Sequence, residues 1–211
     1  MPALYLASAS PRRRDLLGAA GFRFASLAVV VAESHALFLT VPELVLLNAR
    51  RKGRAALAAH ARDLPADAVI VTADTLVALD GEALGKPRDH DEASGMLQRL
   101  AGRTHQVYTG VAFTRPSVGS HAQNAAFIER TDVTFRPLDA RAIRAYLARI
   151  DPLDKAGAYA AQEHGSDIIA ATAGSWTNVL GLPMETLTAA LARLGILPEP
   201  AAPALTPGVV E

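Results

Sequence analysis

Residues 69–79, Val-Ile-Val-Thr-Ala-Asp-Thr-Leu-Val-Ala-Leu, restrict the fold of this chain more than any other stretch. A run so apolar and β-branched reads as a buried strand, and Asp80-Gly81 behind it is a two-residue hairpin signal. Alternation puts Val69, Val71, Ala73, Thr75, Val77 and Leu79 on one face, and Asp74 on the other with Ile70 and Thr72. A carboxylate inside such a strand is costly unless it is paired, hydrogen-bonded or bound to metal. Asp74 is therefore read as a functional carboxylate. The competing reading is a structural Asp that caps a turn at the strand end, but the next turn signal stands six residues further on.

Elements of both kinds surround this strand. Leu4–Ala7 and Phe22–Val31 read as strands, and Ser10-Pro11 starts a helix with Gly18 and Gly21 as stops. From Pro42 to about Arg62 the spacing is helical, with Val45, Ala49, Lys52 and Ala56 on one phase. Asp89 to Glu92 has the spacing of a capping box, followed by the stripe Ala93, Met96, Leu97 and Leu100. Gln106–Thr114 and Phe127–Arg136 read as strands joined by a polar loop from Arg115 to Asn124. Asp139 caps a helix through Leu147, and Leu187, Leu191 and Leu194 mark the last one. Interleaved helices and strands with hairpin signals predict one α/β domain over residues 1–197, a mixed twisted sheet with flanking helices, folded as two lobes around a cleft. The Pro- and Ala-rich residues 198–211 are expected to be a loose tail.

The 211 residues carry 21 Lys+Arg against 21 Asp+Glu and no cysteine. Zero net charge weighs against a general nucleic-acid binder, and the missing cysteines remove disulfides, thiolate-zinc sites and thiol nucleophiles. The start, MPALYLASAS, lacks the pattern of a signal peptide, and charges interrupt every long apolar stretch. The expected location is the cytoplasm, away from any membrane.

Several charged positions carry candidate chemistry. Ser8-Ala9-Ser10-Pro11-Arg12-Arg13-Arg14 places three arginines in the first turn of a helix, where cations are disfavoured by about 0.3–1 kcal/mol each. A bound phosphate would suit both the free N–H groups and the guanidinium forks; a solvated basic turn is the alternative. Lys52 falls on the apolar phase of its helix, either snorkelling or held over a cleft. Lys86, in Leu84-Gly85-Lys86-Pro87, gains meaning only if the hairpin brings it near Asp74. Glu33 closes an apolar run and is either solvated or shares a divalent ion with Asp74. The histidines have no zinc spacing, and no Walker or Rossmann glycine pattern is present. For Ser175 and Asn178, in the turn-rich segment 173–183, packing is the default reading.

In order along the chain, Ser8-Ala9-Ser10-Pro11-Arg12-Arg13, Ala73-Asp74-Thr75, Gly85-Lys86-Pro87, Leu100–Gly110, Asp154-Lys155-Ala156-Gly157-Ala158-Tyr159 and Val179-Leu180-Gly181-Leu182-Pro183 resemble the Maf family of nucleoside triphosphate pyrophosphatases. The resemblance runs from about Leu4 to Leu194. It implies an α/β fold like that of inosine triphosphate pyrophosphatases, often a homodimer, and hydrolysis of a triphosphate to monophosphate and pyrophosphate with a divalent cation, Mg²⁺ or alternatively Mn²⁺. By motif, Asp74 matches the catalytic acid, usually described as proton acceptor. Ser8, Ser10, Arg13, Lys52 and Lys86 match positions at the phosphates, and Glu33 and Asp74 the metal site.

Arg12, Thr75 and Gln162 resemble the dTTP/UTP subgroup rather than the 7-methyl-GTP subgroup. An amide both donates and accepts, which suits a pyrimidine edge. Four positions depart from the family pattern: Ala32 for an acid, Gly53 for Ala, Glu163 for Gly, and Trp176 for a smaller aromatic. The remaining alternative is a nucleotide-binding regulator of cell division that does not turn its ligand over.

Overall fold

In the computed structural model, which describes residues 2–31, 38–116 and 125–199, the long apolar strand is the spine of a seven-stranded mixed sheet. The chain runs β1 (Leu4–Ala7), α1 (Pro11–Ala19), β2 (Ala25–Leu27), α2 (Val41–His60), β3 (Val69–Leu79), β4 (Glu82–Leu84), α3 (His90–Leu100), β5 (Thr104–Thr114) and β6 (Ala126–Phe135). It continues through α4 (Ala140–Leu147), a 3₁₀ turn (Ala156–Ala158), α5 (Gly165–Ile168), β7 (Ile169–Ala173), α6 (Trp176–Val179) and α7 (Met184–Arg193). The strand order is β2-β1-β3-β5-β6-β7, with β4 also on β3. Among the described residues the β2–β1 and β1–β3 pairs are parallel and the others antiparallel, so the mixed sheet expected from sequence is present. No helix among the described residues is long and apolar enough to cross a membrane.

One feature of register creates the cleft. Strand β5 pairs with β3 along one whole edge, from Ile70 to Ala78. On the other edge β1 pairs only with Val69–Val71, and β4 only with Val77–Leu79. Among the described residues no strand covers that edge over Thr72–Leu76, and Asp74 lies at its centre. The hairpin that returns β4 turns on Asp80 and Gly81, both at positive φ (54° and 83°), as the sequence signal requires.

The two faces of β3 are covered by different helices. Leu76 and Ala78 pack against Val41, Leu44 and Val45 of α2. On the opposite face Val69, Val71 and Ala73 join Leu17 of α1 and Leu187 and Leu191 of α7. Farther along that face Val77 and Leu79 meet Ala93 and Leu97 of α3 and Ile143 and Tyr146 of α4. These are the expected two lobes, and Thr75 falls between their cores.

Helix α2 presses directly on the sheet because two glycines allow it. A Cβ on Gly110 of β5 would lie 2.7 Å from the carbonyl carbon and oxygen of Val45. A Cβ on Gly53 would lie 2.2 Å from Thr114 Oγ1, which accounts for glycine at a helix-interior position that costs about 1 kcal/mol against Ala.

Three sequence expectations shift. The strand predicted over 22–31 contracts to Ala25–Leu27, because its partner among the described residues, β1, pairs with it through just Tyr5 to Ala7. The predicted box at Asp89 is half formed: Asp89 accepts from the Glu92 N–H at 2.8 Å, but Glu92 reaches back to Arg88 N at 2.7 Å instead. The full capping box is at Thr40 and Glu43. Of the expected tail, Pro198 and Glu199 are held against Gly21, with Glu199 N–H bonded to Gly21 O at 2.8 Å; residues 200–211 lie outside the described residues.

Gly110→Ala should destabilise the fold by about 2 kcal/mol, because the clash is with backbone that cannot rotate away. The urea midpoint should fall at constant slope. A wild-type midpoint would contradict the close approach of α2 to β5.

Candidate active site

Asp74 is 3% exposed, and both its oxygens are engaged from α2. Lys52 Nζ lies 2.5 Å from Oδ1, and Asn48 Nδ2 donates to Oδ2 at 3.1 Å. Residues 48 and 52 are one helical turn apart, on the stripe that also carries Val45, Ala49 and Ala56, so the helix period aims both at one strand position. Thr72 reinforces the docking by donating to Ala49 O at 2.7 Å. Lys52 is thus an ion-pair partner and a cavity wall, its side chain 16% exposed toward the cleft.

The uncovered edge of β3 is closed by Arg13. Its Nη1 donates to Ala73 O at 2.9 Å, Nη2 to Thr75 Oγ1 at 2.9 Å and Nε to Gly181 O at 2.8 Å. The guanidinium does for that edge what a neighbouring strand would, and ties α1 and the 179–183 turn to it. A weaker contact of 3.4 Å runs from Nη1 to Ser8 Oγ, which also accepts from Ser10 N at 3.2 Å.

Two cavities open on either side of this clasp, sharing Ser10, Arg12 and Arg13. One, of about 400 Å³, is walled by Ser8, Ser10, Arg12, Lys52, Lys86 and Asp154. The other is lined by Thr75, Val107, Lys155, Tyr159, Gln162 and Val179, among others. Arg14, the third arginine of the basic turn, is exposed and walls neither. Glu33, one of the expected metal ligands, lies outside the described residues, as does Ala32. Every other sequence candidate walls one of the cavities except Asp74, which reaches that region through its ion pair with Lys52.

The loops bearing Lys86 and Asp154 are bound to each other, since Gly157 N–H donates to Gly85 O at 3.0 Å. Gly157 has φ 70°, and a Cβ there would meet Val77 Cγ2 at 2.9 Å, so this turn needs glycine on two counts. Lys155 is 6% exposed and donates to Asp151 O and Asp154 Oδ1, each at 2.7 Å. Burial raises the Asp154 pKa, but the hydrogen bond and charge of Lys155, with the charges of Arg12 and Lys86, hold it below the usual carboxylate range.

Behind Gln162 the chain is pinned by buried rings. Tyr146 OH donates to Ala160 O at 3.2 Å and accepts from Ala160 N at 3.0 Å; burial pushes its pKa up to about 12. His105 Nε2 sits 3.0 Å from Tyr159 OH, its ring edge-on to Phe135 and Tyr159. Burial lowers the His105 pKa to about 4, against an upward pull from Asp132. Asn178, read as packing, is fully buried, with Nδ2 donating to Val107 O at 3.1 Å and Thr131 Oγ1 at 2.9 Å.

A family model described as Maf-like protein matches residues 3–194. The chain belongs to the Maf family. A relative from Akkermansia muciniphila, named dTTP/UTP pyrophosphatase, is 43% identical over 92% of this chain and 98% of its own. Relatives with that same name in Myxococcus xanthus and Escherichia coli K12 are 44% and 40% identical, covering 92% and 94% of this chain and 93% and 96% of theirs. A solved structure, the nucleoside-triphosphatase / dITP/XTP pyrophosphatase from Mycobacterium abscessus, is 16% identical over 64% of this chain and 75% of its own, with a TM-score of 0.38. A likeness that remote adds nothing to the topology described above.

Sequence reading of this Maf chain missed Asn48, Lys155 and Asp154 as members of the site. Asn48 left a signal, a polar residue one turn before Lys52 on a buried stripe. Asp154 and Lys155 were legible as part of a family motif, but only the fold brings them beside Lys86.

Arg13→Ala should cost about 3 kcal/mol in urea unfolding, since it strips buried acceptors on two lobes at once. Arg13→Lys should not restore it, because one ammonium cannot reach Gly181 O, Ala73 O and Thr75 Oγ1 together. Full recovery by lysine would show that only the charge matters.

The unfolded chain protonates His105 near pH 6.5, whereas the folded chain resists until about pH 4. This group's contribution is complete above about pH 6.5 and is lost as pH falls toward 4, on the order of 3 kcal/mol. Unfolding free energies between pH 7 and 4.5 should show a slope about one proton shallower in His105→Gln. Equal slopes would refute the assignment.

Proposed function

We propose that this chain hydrolyses nucleoside triphosphates, dTTP and UTP foremost, to the monophosphate and pyrophosphate. The observation that carries the reading is the Asp74–Lys52 pair at the uncovered edge of β3, beside a cavity walled by Arg12, Lys52 and Lys86. The names of the relatives support the same activity and the pyrimidine preference.

In this reading the triphosphate lies in the larger cavity and the nucleoside in the smaller, joined across Ser10, Arg12 and Arg13. Lys52, Lys86 and Arg12 stabilise charge that spreads over the phosphate oxygens as the bond breaks. The Ser8 and Ser10 hydroxyls donate to the same oxygens. Arg13, which lines both cavities, brings its charge to the phosphates while its bonds to Ala73, Thr75 and Gly181 hold the walls in place. Asp74 accepts a proton from a water as its oxygen attacks the α-phosphorus. The bond to the α–β bridging oxygen breaks, and pyrophosphate leaves with that electron pair. Thr75, Arg12 and Gln162 border the nucleoside and set its selectivity, with the Gln162 amide meeting a pyrimidine edge.

The donor set fits a hard divalent cation. Asp74 accepts one hydrogen bond on each oxygen, which leaves lone pairs on both, and Mg²⁺ typically takes one or two carboxylates together with substrate phosphates. Asp74, with Glu33, would hold it, and when bound it supplies charge neutralisation at the phosphate oxygens. We take Mg²⁺ as the working ion, with Mn²⁺ the substitute.

Pyrophosphate release from a nucleotide panel with Mg²⁺ tests the reading. dTTP and UTP should be turned over fastest; a preference for 7-methyl-GTP would overturn the subgroup, and no turnover of any triphosphate the activity. Asp74→Asn should keep its circular dichroism and lose about 10²–10⁴-fold in kcat. A near-normal rate would remove Asp74 from the chemistry.

A further inference from the structure

The base-side cavity does not end at Gln162. Ala161 and Gln162 also line a second, more open cavity of about 490 Å³, whose far wall carries His164, Ile169 and Trp176. The first cavity holds only about 80 Å³, and the space it meets at Ala161 and Gln162 is this second cavity. Val179 borders the first cavity and Trp176 the second, and residues three apart on α6 share a face.

Trp176 is held like a fixed platform. Its backbone follows Ser175, which caps α6 by accepting from Asn178 N, and whose carbonyl accepts from Thr131 Oγ1 at 2.9 Å. Glu185 ties the neighbouring Ser175 and Thr177 hydroxyls at 2.7 and 2.9 Å. With its backbone so constrained, Trp176 is still 42% exposed and lines the second cavity, which leaves aromatic surface for a ligand to stack on. His164, in the same lining, has φ 57°, a left-handed conformation uncommon for a residue other than glycine.

We propose that Trp176 is a specificity-determining residue, forming with Gln162 a shelf that admits pyrimidine triphosphates carrying an extended aromatic or unsaturated arm at the 5-position. The inference rests on the proposed function and deepens it. An amide that meets the O4/N3 edge of a pyrimidine has the 5-substituent beside O4, and Gln162 lines both the first cavity and the one that Trp176 borders. Stacking on an aromatic face is tolerant of the arm's identity, so the shelf selects for planarity rather than for one group.

Two measurements test it. The first is the ratio of kcat/KM for 5-phenylethynyl-dUTP over dTTP with Mg²⁺ in wild type, Trp176→Ala and Trp176→Tyr. The wild-type ratio should be within about threefold of one, should fall about tenfold in the Ala variant, and should recover in part in the Tyr variant. The second uses the fact that Trp176 is the only tryptophan in the chain. Titration with the α,β-imido analogue of the arylated nucleotide should quench its emission, and the imido analogue of dUTP should quench it less. Turnover of dTTP with rejection of the arylated substrate, a ratio unchanged in Trp176→Ala, or unaltered emission would each overturn the shelf. Absence of dTTP turnover would instead sink the proposed function, and the emission titration would then decide the shelf alone.

Discussion

A carboxylate at 3% exposure in the middle of a central strand needs compensation, and Lys52 of α2 supplies a cation against it beside the Asn48 amide. Removing one partner of such a pair typically costs about 3–5 kcal/mol, because the other charge is left buried and uncompensated. The rest of the architecture follows from bringing the two together. Helix α2 has to lie close enough to β3 for a lysine to reach Asp74. That closeness is why Gly53 and Gly110 carry no side chain, and why Thr72 can donate to a helix carbonyl. The pair is structural and chemical at once: the same ammonium that compensates Asp74 also walls the cavity.

The second constraint is the fork in the sheet. Strand β3 has one partner on one edge and two short ones on the other, which leaves backbone between them to be satisfied. Buried backbone groups rarely go unpaired, and here Arg13 takes the role of the missing strand at Ala73 O. A sheet edge opened in this way separates two apolar cores on one face, and the space between cores becomes the cleft. Arg13 therefore joins the two lobes at the point where the two cavities meet. Catalysis as proposed depends on that joint, since Arg12 and Ser10 lie in the same turn.

Much of this was readable from residues alone. The period-2 alternation of 69–79 gave the face of Asp74, and the helical phase of 42–62 put Lys52 among apolar neighbours. What periodicity could not supply was partner choice. The segment 22–31 is apolar enough for a long strand, yet it pairs over only Ala25–Leu27, because strand length is limited by the partner's length as well as by composition. The segment 89–92 has box spacing, but the Glu92 side chain found Arg88, whose guanidinium adds a second bond at 2.9 Å. Asp154 and Lys155 are silent as isolated residues and gain meaning only from the bond between the 85 and 157 loops.

What the sequence determined by itself is the inventory: an apolar strand with one acid, an amphipathic helix with one lysine on its buried phase, and a basic helix start. Those follow from local periodicity and from the cost of burying charge, which act within a few residues. Only the tertiary structure decided how the inventory is used. It showed that Arg13, a position matched to the phosphates, also clasps an open strand edge, and it set Trp176 in the lining of a cavity that Gln162 shares. Both assignments depend on contacts between residues more than a hundred positions apart, or on the meeting of loops, and no spacing in the chain encodes which distant acceptor a side chain will reach.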